Sequence, residues 1–524
     1  MAMVTAMAAR VRKKKIGTRT PALLGALGAL GALCCGAPPA QGGTWEITPS
    51  IAVSETATDN VALSATQKQS DLITDLAPGL RIVGRGDRVK LNFDYQLHNF
   101  VYAQDSSRNN TQNALNAFGS LEAIDNWLFI DASGVITQQS ISAFNGSSPA
   151  NSSINSNSTE ASNFRISPYI RGSFGDFANY QLRYAKSSSN AKSNAVANAE
   201  NDEWSANLRG TTGLAALSWS LDGSSQSVAY GNGRTTEADR LRGVLTYQFD
   251  PQFRMSLIGG RESNDYLSLE KESKTTHGWG LEWMPSERTQ VSYTKEKRFF
   301  GDAQSLSLSH RTARTIWRYS DSKDVSVLPN QLATVGMGSM YDLFYGIFAP
   351  QLAPQFPNDP IGLSNAIMQL MRANGIPLNQ QVVGGFLTTR VAIQRRKELS
   401  LALVGVRNTV TFAATQSDSE GLGTGLSGVS DDFSLTPNIR QRGVSANWSH
   451  QLSGLSTLTA TFSRQVSTGV GAFSLNTTQN LVLVNFSTQL AAKTRALLGV
   501  RHTNVDGTTN YRENAVIVTL SHQF

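Results

Sequence analysis

Residues able to do catalytic chemistry are sparse and scattered in this 524-residue chain. Its six histidines, His98, His277, His310, His450, His502 and His522, contain no pair at a metal-ligand spacing such as His-Glu-x-x-His. There is no Gly-x-Ser-x-Gly nucleophile elbow and no phosphate-cradling glycine loop. The two cysteines, Cys34 and Cys35, are adjacent and close to the N-terminus, which leaves the rest of the chain without a zinc–thiolate site. The reading is therefore of a non-enzymatic protein with no resident metal or cofactor. Four arginines, Arg183, Arg209, Arg242 and Arg254, fall on the polar parity of strand-like segments. In a pore, such a ring of charge would favour anionic solutes. The plainer reading, preferred here, is that they pair with carboxylates across strands and solvate a wet wall. Arg85-Gly86-Asp87 matches an adhesion tripeptide but suits a tight polar turn.

The elements that would hold these residues are strands. From Arg88 to Val101, Val89, Leu91, Phe93, Tyr95, Leu97 and Val101 share one face, while Arg88, Lys90, Asn92, Asp94, Gln96 and His98 share the other. The same two-residue period recurs around Trp204, Leu217, Leu241, Val444 and Leu458. A charged, amide-rich second face is what a water-holding interior requires. Connections alternate between short and long. Gly84 to Asp87, Asp125-Asn126, Gly175-Asp176, Asp250-Pro251, Pro285 to Glu287 and Ala491 to Lys493 are short. Glu55 to Ser70, Ser140 to Thr159, Ser187 to Asn201 and Ser417 to Asp431 are long and rich in Ser, Asn, Thr and Gly. Trp127, Phe129, Phe177, Tyr180, Tyr247, Phe249, Phe253 and Trp283 flank the short turns, as an interfacial girdle would.

Two further stretches point to the membrane. Arg10, Arg12, Lys13, Lys14, Lys15 and Arg19 precede the short apolar run Ala22–Leu33, the layout of an export signal over residues 1–40, with cleavage expected after Ala40. The formal charge of +7 includes those six basic groups, so the remaining 484 residues carry about +1 and give no reason to expect nucleic acid as a partner. At the other end, Val516, Val518, Leu520, His522 and Phe524 line one face of a final strand. That pattern resembles the closing strand of outer-membrane barrels, which the barrel-assembly machinery reads. The fold expected is all-β: an antiparallel transmembrane outer-membrane barrel of about 20 strands (18–22) over residues 41–524. It is interrupted by a proline-rich insert at 325–384 that holds one helix over 361–374 and serves as plug or cap. Counting turns, with Arg395–Lys397 taken as another short turn, requires the insert to cross the barrel height once, as an extra strand near 331–341 or through the lumen.

Several short elements resemble the outer-membrane proteins associated with PEP-CTERM/exosortase systems and exopolysaccharide loci of Gram-negative bacteria. They are Leu76-Ala77-Pro78-Gly79-Leu80, Phe299-Phe300-Gly301, Gly405-Val406-Arg407-Asn408-Thr409 and Tyr511-Arg512-Glu513-Asn514. The resemblance implies a porin-like or structural barrel in exopolysaccharide or biofilm-matrix export, with polysaccharide-secretion components as partners beside outer-membrane lipid. It supplies no site residues. The competing expectations are a barrel that anchors envelope partners without passing solute, an outer-membrane enzyme, and a soluble secreted adhesin.

Overall fold

The computed structural model describes residues 43–524 other than 149, 154–155, 232, 269, 330–340, 342–343, 346–347, 350–351, 357–359, 374–384, 423–430 and 472–474. The expected export signal at 1–40, both cysteines and most of the strand expected near 331–341 lie outside the described residues.

Alternation of apolar and polar side chains lets each strand satisfy lipid on one side and water on the other, provided no backbone edge is left open. The described residues meet that condition with 22 strands in one antiparallel sheet, each bonded to its neighbours in sequence. The sheet closes where β1 (Thr44–Thr58) pairs with β22 (Tyr511–Gln523), from Ser50↔Gln523 to Thr58↔Ala515. Beyond the last pair, the Phe524 N–H donates to the Pro49 carbonyl at 2.9 Å. Strand spacing and a tilt of about 40° give a backbone diameter of roughly 44 Å for 22 strands. No described helix is long and apolar enough to cross a membrane; this chain crosses with strands. The result is a closed barrel of the outer membrane.

The count is at the upper limit of the expected range. Four connections at the long-loop end are themselves short, at 231–234, 299–300, 471–475 and 507–510, so short turns do not alternate strictly with long loops. Strands also run on into sequence that reads as loop: β7 (Ala178–Ala191) and β17 (Asn408–Gly421) both extend past the point where alternation stops. Past the bilayer both faces of a strand are wet, so the alternation that marks a strand disappears while its ladder persists.

Register sets the outer surface. Val516, Val518 and Leu520 are each about half exposed and face lipid, whereas Thr519 and Ser521 face the lumen. In β3 (Val89–Tyr102) Val89, Leu91, Phe93, Tyr95 and Leu97 point out, with Asn92, Asp94 and His98 inward. Trp127, Phe177, Tyr247, Phe249 and Trp283 are exposed near the short turns, as a girdle requires. Phe129 is not among them. It is 6% exposed, faces the lumen and stacks on Tyr169, because the register shift between Glu122 and Ile124 resets parity at the preceding turn.

The insert makes no net crossing of the barrel height. β15 (Thr315–Ser326) and β16 (Ala392–Val404) pair directly, from Thr315↔Leu403 to Ser326↔Ala392. The chain therefore leaves and returns at the long-loop end. Arg395–Lys397, expected as a short turn, lies inside β16. Its basic side chains alternate between faces as those of any strand do.

Candidate functional site in the barrel lumen

Three of the four lumenal arginines singled out from sequence are paired. Arg183 Nη1 donates to Asp131 Oδ2 at 2.9 Å and to Ser167 Oγ at 2.8 Å, with its guanidinium 3.9 Å from the Tyr169 ring centre. Arg242 Nε donates to Glu296 Oε2 at 3.2 Å and lies 3.8 Å from Asp222. Arg254 lies 3.5 Å from Glu282, its direct cross-strand neighbour. Arg209 is exposed and makes no ion pair among the described residues. The wall is thus charged but largely self-neutralised, and these four arginines form no ring of unpaired cations among the described residues.

Sequence reasoning missed the partners. Glu296 is held from both sides, by Arg240 Nη2 at 2.8 Å and by Arg242, and Arg298 bridges Glu262 and Asp324 at 3.0 and 2.6 Å. Asn207, Asp222, Arg240, Arg242, Glu296 and Arg298 line a cavity of about 500 Å³ opening into the lumen. The i,i+2 spacing of Arg240 and Arg242 signals a shared face. Their carboxylate is more than fifty residues away and emerges only from the register. Among the described residues no group of three His, Cys, Asp or Glu side chains could hold a metal.

Two structures obstruct this wet interior. The first is the insert. Helix α1 (Pro360–Ala373) is amphipathic, and Leu363, Ile367 and Met371 on one face are buried. They cluster with Phe344 and Phe348 of the insert and with Ala402 and Ala413 of the wall, and Ile316 packs against the same cluster. Tyr341 Oη and Ser364 Oγ share a 2.7 Å hydrogen bond that ties an earlier stretch of the insert to the helix. Ile316 is the second residue of β15, and Ala402 is two residues from the end of β16. The helix is therefore seated deep in the lumen, near the short-turn end. In this sector the other lumen-facing residues are polar, such as Thr409, Thr411, Ser400 and Glu398. Small or apolar side chains stand where the helix rests.

The second is a lid at the long-loop end. Leaving β15, Val327 joins Val228, Tyr230 and Tyr266 in an apolar cluster, and Tyr230 Oη donates to the Val327 carbonyl at 2.5 Å. On the way back, Leu387 packs on Ala161 and Val196, and Phe386 packs on Phe144 and Phe433. The short helix α2 (Asp432–Leu435) completes the lid. Asp431 caps it in a reciprocal box with Ser434 and is held by Arg390 at 3.0 Å. Asp432 accepts from Ser142 Oγ at 2.7 Å and from the Ala143 N–H at 2.6 Å. Burial pushes the Asp432 carboxyl above its ordinary value, against the opposing pull of those two donors. The closed lid therefore disfavours the charged form relative to water. The added stability is present below the ordinary carboxylate range, about 3.9, and is lost as pH rises through the elevated value. Limited proteolysis of the 141–157 loop should therefore quicken as pH rises, and Asp432→Asn should flatten the profile. A parental profile already flat across this range would contradict the assignment.

No family model matches the chain, and no curated protein matches it. Among solved structures, the FrpB iron transporter of Neisseria meningitidis (F5-1 variant) is 9% identical, with 91% of this chain and 81% of that one covered, at a TM-score of 0.47. BauA, the ferric preacinetobactin receptor of Acinetobacter baumannii, is 12% identical over 91% and 80% of the two chains, at 0.43. A loop-deletion mutant of OmpT, an outer-membrane protein of Vibrio cholerae, is 8% identical over 92% and 99%, at 0.33. These are likenesses of overall fold.

They correct the expectation of a PEP-CTERM/exosortase-associated family and, with it, the expected role in exopolysaccharide or biofilm-matrix export. No family model carries it, and the structures resembled include iron and siderophore transporters. The motifs behind that expectation have structural explanations. Gly405–Asn408 forms a short turn closed by Gly405 N–H to the Asn408 carbonyl at 2.7 Å. Phe299-Phe300-Gly301 forms a tight connection in which Gly301 takes φ +97°. Pro78 falls in a gap of the ladder between β2 (Asp71–Arg85) and β3, where a residue without an N–H is tolerated. Such features recur wherever a barrel needs a turn or a bend.

Proposed function

We propose that this protein is a non-enzymatic conduit for polar solutes across the outer membrane, closed in the present conformation by its own 325–384 insert acting as a plug. The observation that carries this reading is the seat of α1. Ile316, Ala402 and Ala413 offer an apolar footing inside a polar sector of wall, and the helix covers it with Ile367 and Met371, both fully buried. A barrel with a purely structural role has no need of a wide, ion-pair-lined lumen with a matched seat for a removable segment. Val516, Val518, Leu520, His522 and Phe524 form the outward side of the closing seam and are the face we assign to recognition during assembly. His522 sits at the rim, where Thr494 Oγ1 lies 2.9 Å from its Nδ1. Lipid and the barrel-assembly machinery are required partners of any such barrel.

Planar-bilayer recording tests the reading. The parent should show small or rare openings. A variant in which residues 330–388 are replaced by a short Gly/Ser loop, possible because Ser326 and Ala392 are direct ladder partners, should show large and stable conductance. Silence from both proteins would sink the conduit and leave a barrel that anchors partners without passing solute.

A further inference from the structure

The outer surface carries a charge asymmetry that the conduit does not use. On the outward side of β15 to β19, including β17 (Asn408–Gly421), β18 (Asn438–Gln451) and β19 (Ser456–Val470), the register aligns basic residues in adjoining rows. Lys397 lies opposite Gln416, which lies opposite Arg442. One row further from the short turns, Lys323, Arg395, Asp418 and Arg440 follow in the same way. Arg464 lies diagonal to Arg442, opposite Val444. Arg395 and Arg440 are engaged by Asp321 and Asp418. Lys397, Arg442 and Arg464 make no ion pair among the described residues, and both arginines are exposed.

The level of this patch is informative. Beneath it, towards the short turns, the same faces carry Leu399, Phe412, Val444 and Phe462, each nearly half exposed. From Val406, in the short turn, to Lys397 is about nine residues, or about 30 Å of strand and about 23 Å of height at a tilt of about 40°. That is one hydrocarbon thickness of an outer membrane, so the basic rows stand at the far interface. The opposite wall differs. At the matching level β7, β8 (Ala199–Thr211) and β10 (Thr235–Asp250) present Lys186 against Glu200, Asp202, Glu237 and Asp239, and Lys271, in a neighbouring loop, reaches Glu237 and Asp239, so both lysines are in ion pairs. Asp321, opposite Lys397, and Asp418 stand among the basic rows, yet the named groups on β15–β19 leave an excess of positive charge where those on the opposite wall leave an excess of negative.

We propose that the outward face of β15–β19 is a docking surface for a phosphorylated lipid of the leaflet at the long-loop end. Arg442, Arg464 and Lys397 take its phosphate groups, and its acyl chains lie on Leu399, Phe412, Val444 and Phe462. Guanidinium groups suit this role because they meet phosphate oxygens in a bidentate fork and remain charged at any relevant pH.

The test is native mass spectrometry of the full-length barrel in neutral detergent, titrated separately with bisphosphorylated lipid A, phosphatidylcholine and inorganic phosphate. The parent should retain lipid A in preference to phosphatidylcholine and lose it as ionic strength rises. Arg442→Ala/Arg464→Ala should weaken lipid A binding about 30-fold, from about fivefold for each basic group near a membrane surface, and the double Lys variant should restore part of it. Lys186→Ala, on the opposite wall, should leave binding unchanged. Equal lipid A binding by parent and double Ala variant would overturn the proposal. So would equal retention of phosphatidylcholine, or displacement of lipid A by equimolar inorganic phosphate, which would mark a general anion site. All variants change exposed side chains, and heat-modifiable migration confirms that each barrel is folded.

Discussion

Arg501→Ala should unfold this barrel more readily than almost any other single change, at a cost of about 3–5 kcal/mol. Arg501 Nη2 donates to Glu513 Oε1 at 2.8 Å, and the two side chains are 6% and 0% exposed. Thr58 Oγ1 donates to the same carboxylate oxygen at 3.0 Å. Thr58 belongs to β1, Glu513 to β22 and Arg501 to β21 (Thr494–Asp506), so this small network clamps the closing seam at the long-loop end. Asp59 strengthens it: its carboxylate accepts the Asn514 N–H at 2.7 Å. Removing the guanidinium leaves a buried carboxylate with hydroxyl donors alone, and the desolvation it paid for is no longer offset. Urea titration of refolded protein, read as the fraction migrating as the folded form, should place the variant's midpoint well below the parent's. The double variant Arg501→Met/Glu513→Leu removes both charges and should recover most of the loss. If single and double variants lose equally, packing rather than the ion pair holds the seam.

That network shows how far the sequence could be read. Tyr511-Arg512-Glu513-Asn514 stood out as a motif, and alternation alone places Tyr511 and Glu513 on one face. Nothing local indicates that the partner of Glu513 is Arg501, or that Thr58 reaches it from the other end of the chain. The barrel itself was legible because lipid on one side and water on the other impose a period of two on every strand that crosses. Register was not, since a ladder accepts many offsets and pairing partners are fixed by the whole sheet. Hence alternation assigns Arg183, Arg242 and Arg254 to the polar parity of their strands, while their carboxylates could not be named. Phe129 shows the converse limit. A single bulge ahead of it turns an expected girdle residue into a lumenal one. The insert was recognisable by its prolines and by the 3.6-residue period of Ile367, Leu370 and Met371. Its path was not, because Arg395–Lys397 has the composition of a turn and the geometry of a strand.

Ile367→Ala should open the conduit without harming the barrel. Ile367 is fully buried, and its contacts are to the insert's own Phe344 and Phe348 and to the lumenal wall. Truncating such a side chain costs about 2–5 kcal/mol. The 22-strand ladder is independent of the helix, so the loss falls on the docking equilibrium of the insert. Each 1.4 kcal/mol is tenfold, so the undocked fraction should rise by about 1.5 to 3.5 decades. A plug that is almost always seated would thus become one that is measurably open. Single-channel recording should show a marked increase in open time at unchanged unitary conductance, because the pore itself is the same. Hydrogen exchange should accelerate in 360–373 and stay slow in the strands. Met371→Ala should act alike, whereas Met371→Leu, nearly equal in volume, should behave as the parent. Asn365, also buried on the helix, gives a sharper test, since it does not belong to the apolar cluster that seats on Ala402 and Ala413. If Asn365→Ala opened the pore as effectively as Ile367→Ala, general destabilisation of the helix, and not the loss of its apolar seat, would explain gating.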